Sequence, residues 1–180
     1  MYLALGVVSA ILQSRLSGIG QVVDAAIVDG AASLMTTFFG RLAAGQWRDE
    51  RGVNMLDGGL PWYDTYRTAD AKYVAIGALE PQFFAVLCEK LGLDAHWLEA
   101  RNNHALWPAL RAELEHVIGS RTRDHWCALL EGTDACFSPV LSMQEAPLHP
   151  HNVAREAFVE RDGVTQPAPA PRVLSWQQPS

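Results

Sequence analysis

The first twelve residues, MYLALGVVSAIL, are apolar almost without interruption. The run predicts a buried helix to about Arg15, closed by Ser17-Gly18 in the usual C-terminal style. It falls short of the ~20 apolar residues a spanning helix needs, and it lacks the basic lead and cleavage site of a secretory segment. No capping residue precedes it, so it reads as an internal helix of a larger protein. Gln21 to Ala25 is short, β-branched and bounded by glycine, which predicts a strand. Ile27 to Ala44 then carries helical spacing at Ile27, Leu34, Phe38 and Leu42, broken at Gly45. That βα order is the grammar of an α/β layer.

From Gln46 the chain turns polar and loop-like, ending in the turn Asp57-Gly58-Gly59. Tyr63–Arg67 and Tyr73–Ala78 read as two short strands joined by Thr68-Ala69-Asp70-Ala71, a hairpin by length and composition. Glu80-Pro81 opens a helix to about Leu91, with proline at the first helical position, where its missing N–H costs nothing. Trp107–Ile118 and Asp124–Leu130 predict two more helices, and apolar Ala135–Leu141 a further strand. Ser142 and Glu145 have the spacing of a capping box. The sequence QPAPAP, residues 166–171, reads as a semi-rigid polyproline linker. The expected division is residues 1–45 as a piece of a larger α/β domain and 46–62 as a linker. Residues 63–154 follow as a compact α+β unit, and 155–180 as a return linker cut short at Ser180.

Composition narrows the function classes. The 180 residues are 49% apolar and 19% charged, which is globular rather than disordered or fibrous. With 14 Lys plus Arg against 20 Asp plus Glu the net charge is −6. No basic stripe interrupts that acidic balance, so nucleic acid is not an expected partner; with the first apolar run too short to span, neither is a membrane. Three cysteines (Cys88, Cys127, Cys136) form no CxxC and leave one over, as reduced thiols of a cytoplasmic protein do. Among six scattered histidines only His149 and His151 lie close, without a third ligand, so no metal is expected.

The GxGxxG, GxxxxGK, GxSxG and HExxH patterns are all absent, which sets aside nucleotide hydrolysis and zinc peptidase chemistry. The sharpest local feature is GALEPQF, residues 77–83. It places Glu80 where a strand ends and a helix begins, and free N–H groups at a helix start favour the ionised carboxylate. Such an acid suits orienting a histidine or polarising a proton donor. It equally suits an electrostatically favourable helix start with no chemistry. In the loop NMLDGG, residues 54–59, Gly58 and Gly59 let backbone approach a ligand, Asp57 can hold the turn, and Met55 offers an adaptable apolar contact. An ordinary Asp-Gly turn explains the same residues. Tyr63 and Tyr66 on the next strand fit packing better than catalysis.

Four segments in order carry a resemblance: GQVVDAAIVDG from Gly20, GVNMLDGGLPWYDTYRTAD from Gly52, YVAIGALEPQFF from Tyr73 and GTDACFSPVLS from Gly132. Together they resemble the class III (CaiB/BaiF) CoA-transferase family. The acid directly before proline in EPQF resembles its acyl-CoA racemase branch. The resemblance runs from the first helix through QPAPAP and implies an α/β fold, part of a large domain plus a small α+β domain. It also implies linkers that thread two subunits into an interlocked homodimer.

The reaction so implied is 1,1-proton transfer at the α carbon of a 2-methylacyl-CoA. The thioester acidifies that C–H, and a histidine and an aspartate on opposite faces exchange the proton through an enolate. Coenzyme A is part of the substrate, and no separate cofactor is implied. Glu80 matches the glutamate that hydrogen-bonds the histidine, reaching across from the small domain of the partner subunit. Met55 matches a methionine of the surface on which the acyl chain slides, with Asp57, Gly58, Gly59 and Tyr63 nearby as substrate-binding candidates. Ile27 stands where relatives often carry another methionine. The histidine, the aspartate and most CoA contacts are expected upstream of the first helix, since none of the six histidines has the matching context. This segment leaves two other readings open. One is CoA transfer through an upstream aspartate; the other is a non-catalytic fragment that only associates with partners.

Overall fold

The computed structural model describes residues 1–172, in two compact units that divide between Asp57 and Gly58. That division falls inside the stretch 46–62 expected to connect the domains.

The first unit is helical. Helix α1 (Tyr2–Ser17) ends on Gly18, whose left-handed backbone (φ 74°) returns its N–H to Ser14 O. The expected strand at Gln21–Ala25 does not form; those residues are coil, in neither helix nor sheet. Two valines in a row favour a strand only when another strand offers its backbone, and none does among the described residues of this unit. The expected single helix over 27–44 is instead two, α2 (Ile27–Leu34) and α3 (Thr36–Ala43). They break at Met35, which caps the end of α2 and the start of α3 with φ −84° and ψ 0°. Tyr2 crosses from α1 to hydrogen-bond Ser33 Oγ at 2.9 Å.

The second unit holds the core. Strands β1 (Tyr63–Arg67), β2 (Tyr73–Gly77) and β3 (Phe137–Val140) form an antiparallel sheet in that order, with Tyr63 opposite Gly77 and Ile76 opposite Phe137. Period-two alternation buries Val74 and Ile76 on one face of β2. Helices α4 (Pro81–Leu91), α6 (Trp107–Gly119) and α7 (Arg123–Leu130) bury Phe84, Leu87 and Leu91, then Leu110, Leu114 and Ile118, then Trp126 and Leu130. Spacings of three and four put each set on one helical face, and burying each such side chain is worth about 1.5–3 kcal/mol. Two short helices, α5 (Trp97–Ala100) and α8 (Pro150–Ala154), fall in stretches with no expected helix.

The hairpin turn is fastened to α7. Thr68 donates to Asp70 Oδ1 at 2.6 Å, and the same oxygen accepts the Arg123 N–H at the start of α7. The Ser142–Glu145 capping box closes reciprocally, at 2.9 and 3.2 Å, but over a tight turn into a 3₁₀ segment (Ala146–Leu148) rather than an α-helix. Within residues 155–180, read from the prolines as a linker, β4 (Phe158–Arg161) and β5 (Val164–Pro167) make a second hairpin. No helix of the described residues is long and apolar enough to cross a membrane.

Candidate functional site

Strand β2 passes into α4 through an elbow, Gly77-Ala78-Leu79-Glu80, whose peptide groups are individually tied. Gly77 N–H donates to Cys136 O at 2.9 Å, Ala78 N–H to Trp62 O at 3.1 Å, and Leu79 N–H to Gly77 O at 2.8 Å. Glu80 is the N-cap residue of α4, with extended backbone (φ −76°, ψ 144°), and its side chain makes no capping bond. The carboxylate therefore stands at the positive end of the helix, solvent-exposed. Its charge is felt by its neighbour: burial raises the Cys136 thiol first, and the Glu80 and Asp134 carboxylates raise it further.

Tyr63 lies at the same end of the sheet. It pairs with Gly77, and its ring comes within 3.5 Å of where a side chain on Gly77 would begin. Gly58 adopts φ 93°, a conformation that favours glycine. Arg111 of α6 secures it, donating through Nη2 to Gly58 O and through Nη1 to Asp64 Oδ2, each at 2.6 Å. Gly59 follows, half-buried. Of the expected site residues, the second unit holds Gly58, Gly59, Tyr63 and Glu80; Tyr63, opposite Gly77, and Glu80, three residues beyond Gly77, lie at the same end of the β1–β2 pair.

Met55 and Asp57 belong to the first unit, in a loop organised around Asn54. That side chain is 7% exposed and donates to Arg48 O and Glu50 O while accepting from Arg48 N–H. Asp57 accepts from Asn54 N–H at 2.7 Å, Asn54 Nδ2 at 2.8 Å and Gly52 N–H at 3.2 Å. Its carboxylate therefore shapes the loop. Met55, next to the hub, is half-buried.

Three arginines escaped the sequence reading. Arg111 braces the glycine turn. Arg101, 8% exposed, lies behind the elbow. Arg123, 6% exposed, meets Glu145 Oε1 at 2.5 Å and Val140 O at 2.8 Å. Arginine in a polar stretch reads as surface, and only the aromatic neighbours of Arg101 hinted otherwise. Among the described residues no group of three or more His, Cys, Asp or Glu could hold a metal ion.

A glutamate at a strand-to-helix elbow and a glycine turn braced by Arg111 do not make a complete set of proton-transfer groups. The protein class follows from the whole chain: residues 1–179 match the model of CoA-transferase family III, and the chain belongs to that family. Among its relatives is the alpha-methylacyl-CoA racemase of Mus musculus, 41% identical over 176 residues, which are 98% of this chain and 46% of the racemase. The Homo sapiens alpha-methylacyl-CoA racemase is 40% identical over 96% of this chain and 45% of its own length. The crystal structure of Rv3272 from M. tuberculosis shares the fold, with a TM-score of 0.72 at 23% identity, covering 97% of this chain and 47% of that one. The chain thus spans about half the length of these relatives.

Proposed function

We propose that this chain supplies the small-domain side of an acyl-CoA racemase, catalysing 1,1-proton transfer at the α carbon of a 2-methylacyl-CoA. The observation that carries the reading is the identity of 41% with a protein named for that reaction, over 98% of this chain. The exposed carboxylate of Glu80, uncommitted to capping α4, supports it further.

In this reading Glu80 accepts a hydrogen bond from a catalytic histidine, fixes its orientation and stabilises its protonated form. The thioester makes the α proton acidic enough for two bases to exchange it through an enolate. Gly58, Gly59 and Tyr63 of the second unit are proposed as substrate-binding residues, as, within the first unit, are Met55 and Asp57. Coenzyme A enters as part of the substrate, and no separate cofactor is called for. The proposed assembly is an interlocked homodimer, with neither nucleic acid nor membrane as partner. The proposed home is the cytoplasm, on the reading of three reduced thiols, and the proposed setting is fatty acid metabolism, on the 2-methylacyl-CoA substrate.

The test is α-proton exchange of a 2-methylacyl-CoA in D2O. It is run with this chain alone and with the chain joined to the part its relatives carry beyond the matched half. Deuterium should enter the α position, with loss of stereochemical purity, in the joined protein and stay at background in the chain alone. CoA transfer is the second reading, favoured by the description of the family itself. It predicts thioester exchange onto a free carboxylate without α-deuteration.

A further inference from the structure

Arg101 is a buried cation with no carboxylate partner among the described residues. Its guanidinium carbon lies 4.5 Å from the ring centre of Trp62 and 4.6 Å from that of Phe84. Nη2 donates to Leu79 O at 2.8 Å, while Nη1 is buried without a partner. Trp107 donates through Nε1 to the Arg101 carbonyl at 2.7 Å and meets Trp62 edge-on at 5.5 Å. Burial holds the guanidinium below its ordinary pKa.

A methionine would fill the space between the two rings without desolvating a charge, so packing alone does not call for arginine here. What methionine lacks is a donor for Leu79 O, the oxygen of the peptide bond that leads into Glu80. The backbones of the same two residues meet the elbow on either side: Trp62 O accepts the Ala78 N–H at 3.1 Å, and the Phe84 N–H donates to Glu80 O at 3.0 Å in the first helical bond of α4. Three consecutive residues of the elbow are thus each bonded to one member of a single cluster.

We propose that Arg101 is a positioning residue for Glu80: held between Trp62 and Phe84, it fixes the Leu79–Glu80 peptide and hence the direction in which the carboxylate leaves the start of α4. The inference rests on the reading of Glu80 given above, and it adds the device that aims it.

Arg101→Met and Arg101→Lys test it in two settings. In the chain itself, Arg101→Met should keep or raise the melting temperature, while the amides of Ala78, Leu79 and Phe84 exchange hydrogen about tenfold faster and those of Leu110–Ile118 do not change. In the joined protein, kcat for α-proton exchange should fall about tenfold with KM within about twofold, and Arg101→Lys should recover part of the loss. Unchanged amide exchange at the elbow overturns the inference. So does a kcat loss that merely follows the melting temperature in both variants. If Arg101→Met does not fold, Arg101→Lys carries both measurements. Glu80→Gln, run in parallel, separates the two failures: if it costs turnover while Arg101→Met does not, the inference alone falls. If it costs none, the reading of Glu80 falls and the inference with it.

Discussion

The two units of this chain treat apolar side chains in opposite ways. In the first, none of α1, α2 and α3 has a buried residue; Leu5 is 68% exposed, Leu12 60% and Val22 94%. In the second, Phe84, Leu87, Leu110 and Leu114 are all at 0%. Both units form helices, yet only the second buries them, so helix formation and core formation separate here. A helix apolar on all sides, such as α1, has the surface of an element packed on every side. The second unit, with sheet and helices, closes its own core.

The largest effect should come from breaking that core. Phe84→Ala should cost about 3–5 kcal/mol in urea unfolding, whereas Leu12→Ala in α1 should change stability by less than about 0.5 kcal/mol. A large loss from Leu12→Ala would mean that the first unit has a core of its own, and the contrast between the units would fail.

The next effect is a dependence on pH. Glu145 joins Arg123, the backbone of Ser142 and Lys72, and those bonds, the Arg123 guanidinium first, hold its carboxyl far below its ordinary value of 4.5. A lowered native pKa means that the contribution is fully present above the unfolded value and is lost as pH falls through the native one. The urea midpoint should therefore decline from about pH 5 downward, and Glu145→Gln should flatten that decline while lowering stability at pH 7. An unchanged acid limb in the variant would remove Glu145 from the account.

A smaller effect belongs to the glycine turn. Arg111→Lys keeps the charge but cannot reach both Gly58 O and Asp64, so it should cost about 1–2 kcal/mol. In the joined protein it should raise KM more than it lowers kcat, because a loosened turn weakens substrate contact. An effect on kcat alone would place Arg111 with the elbow instead.

Much of the second unit was legible because its signals are local. The short strand runs at 63–67 and 73–77 with the four-residue turn between them, proline at the start of α4 and α6, and the Ser142–Glu145 spacing each act within a few residues. The strand expected at 21–25 failed because a strand depends on a partner, and local composition says nothing of one. The β4–β5 hairpin was hidden by the prolines after Gln166. Its signal was Asp162-Gly163, whose φ angles of 52° and 76° are the two positive values a tight hairpin turn requires. At the site, Glu80 was visible from its position before proline. Arg101, Arg111 and Arg123 were not, because what makes them structural is the carbonyls they meet: Leu79, Gly58 and Val140, each distant in sequence.

The central claim concerns Glu80 and is met most directly by Glu80→Gln in the joined protein, measured for turnover and melting temperature together. Gln keeps the shape and tolerates the following proline, so the fold should survive while the carboxylate charge at the start of α4 is lost. Turnover should fall about 10–100-fold with KM little changed and a melting temperature close to that of the unaltered protein. Unchanged turnover with a lowered melting temperature, the signature of losing roughly 0.3–1 kcal/mol of helix-start electrostatics, would contradict the claim and make Glu80 structural.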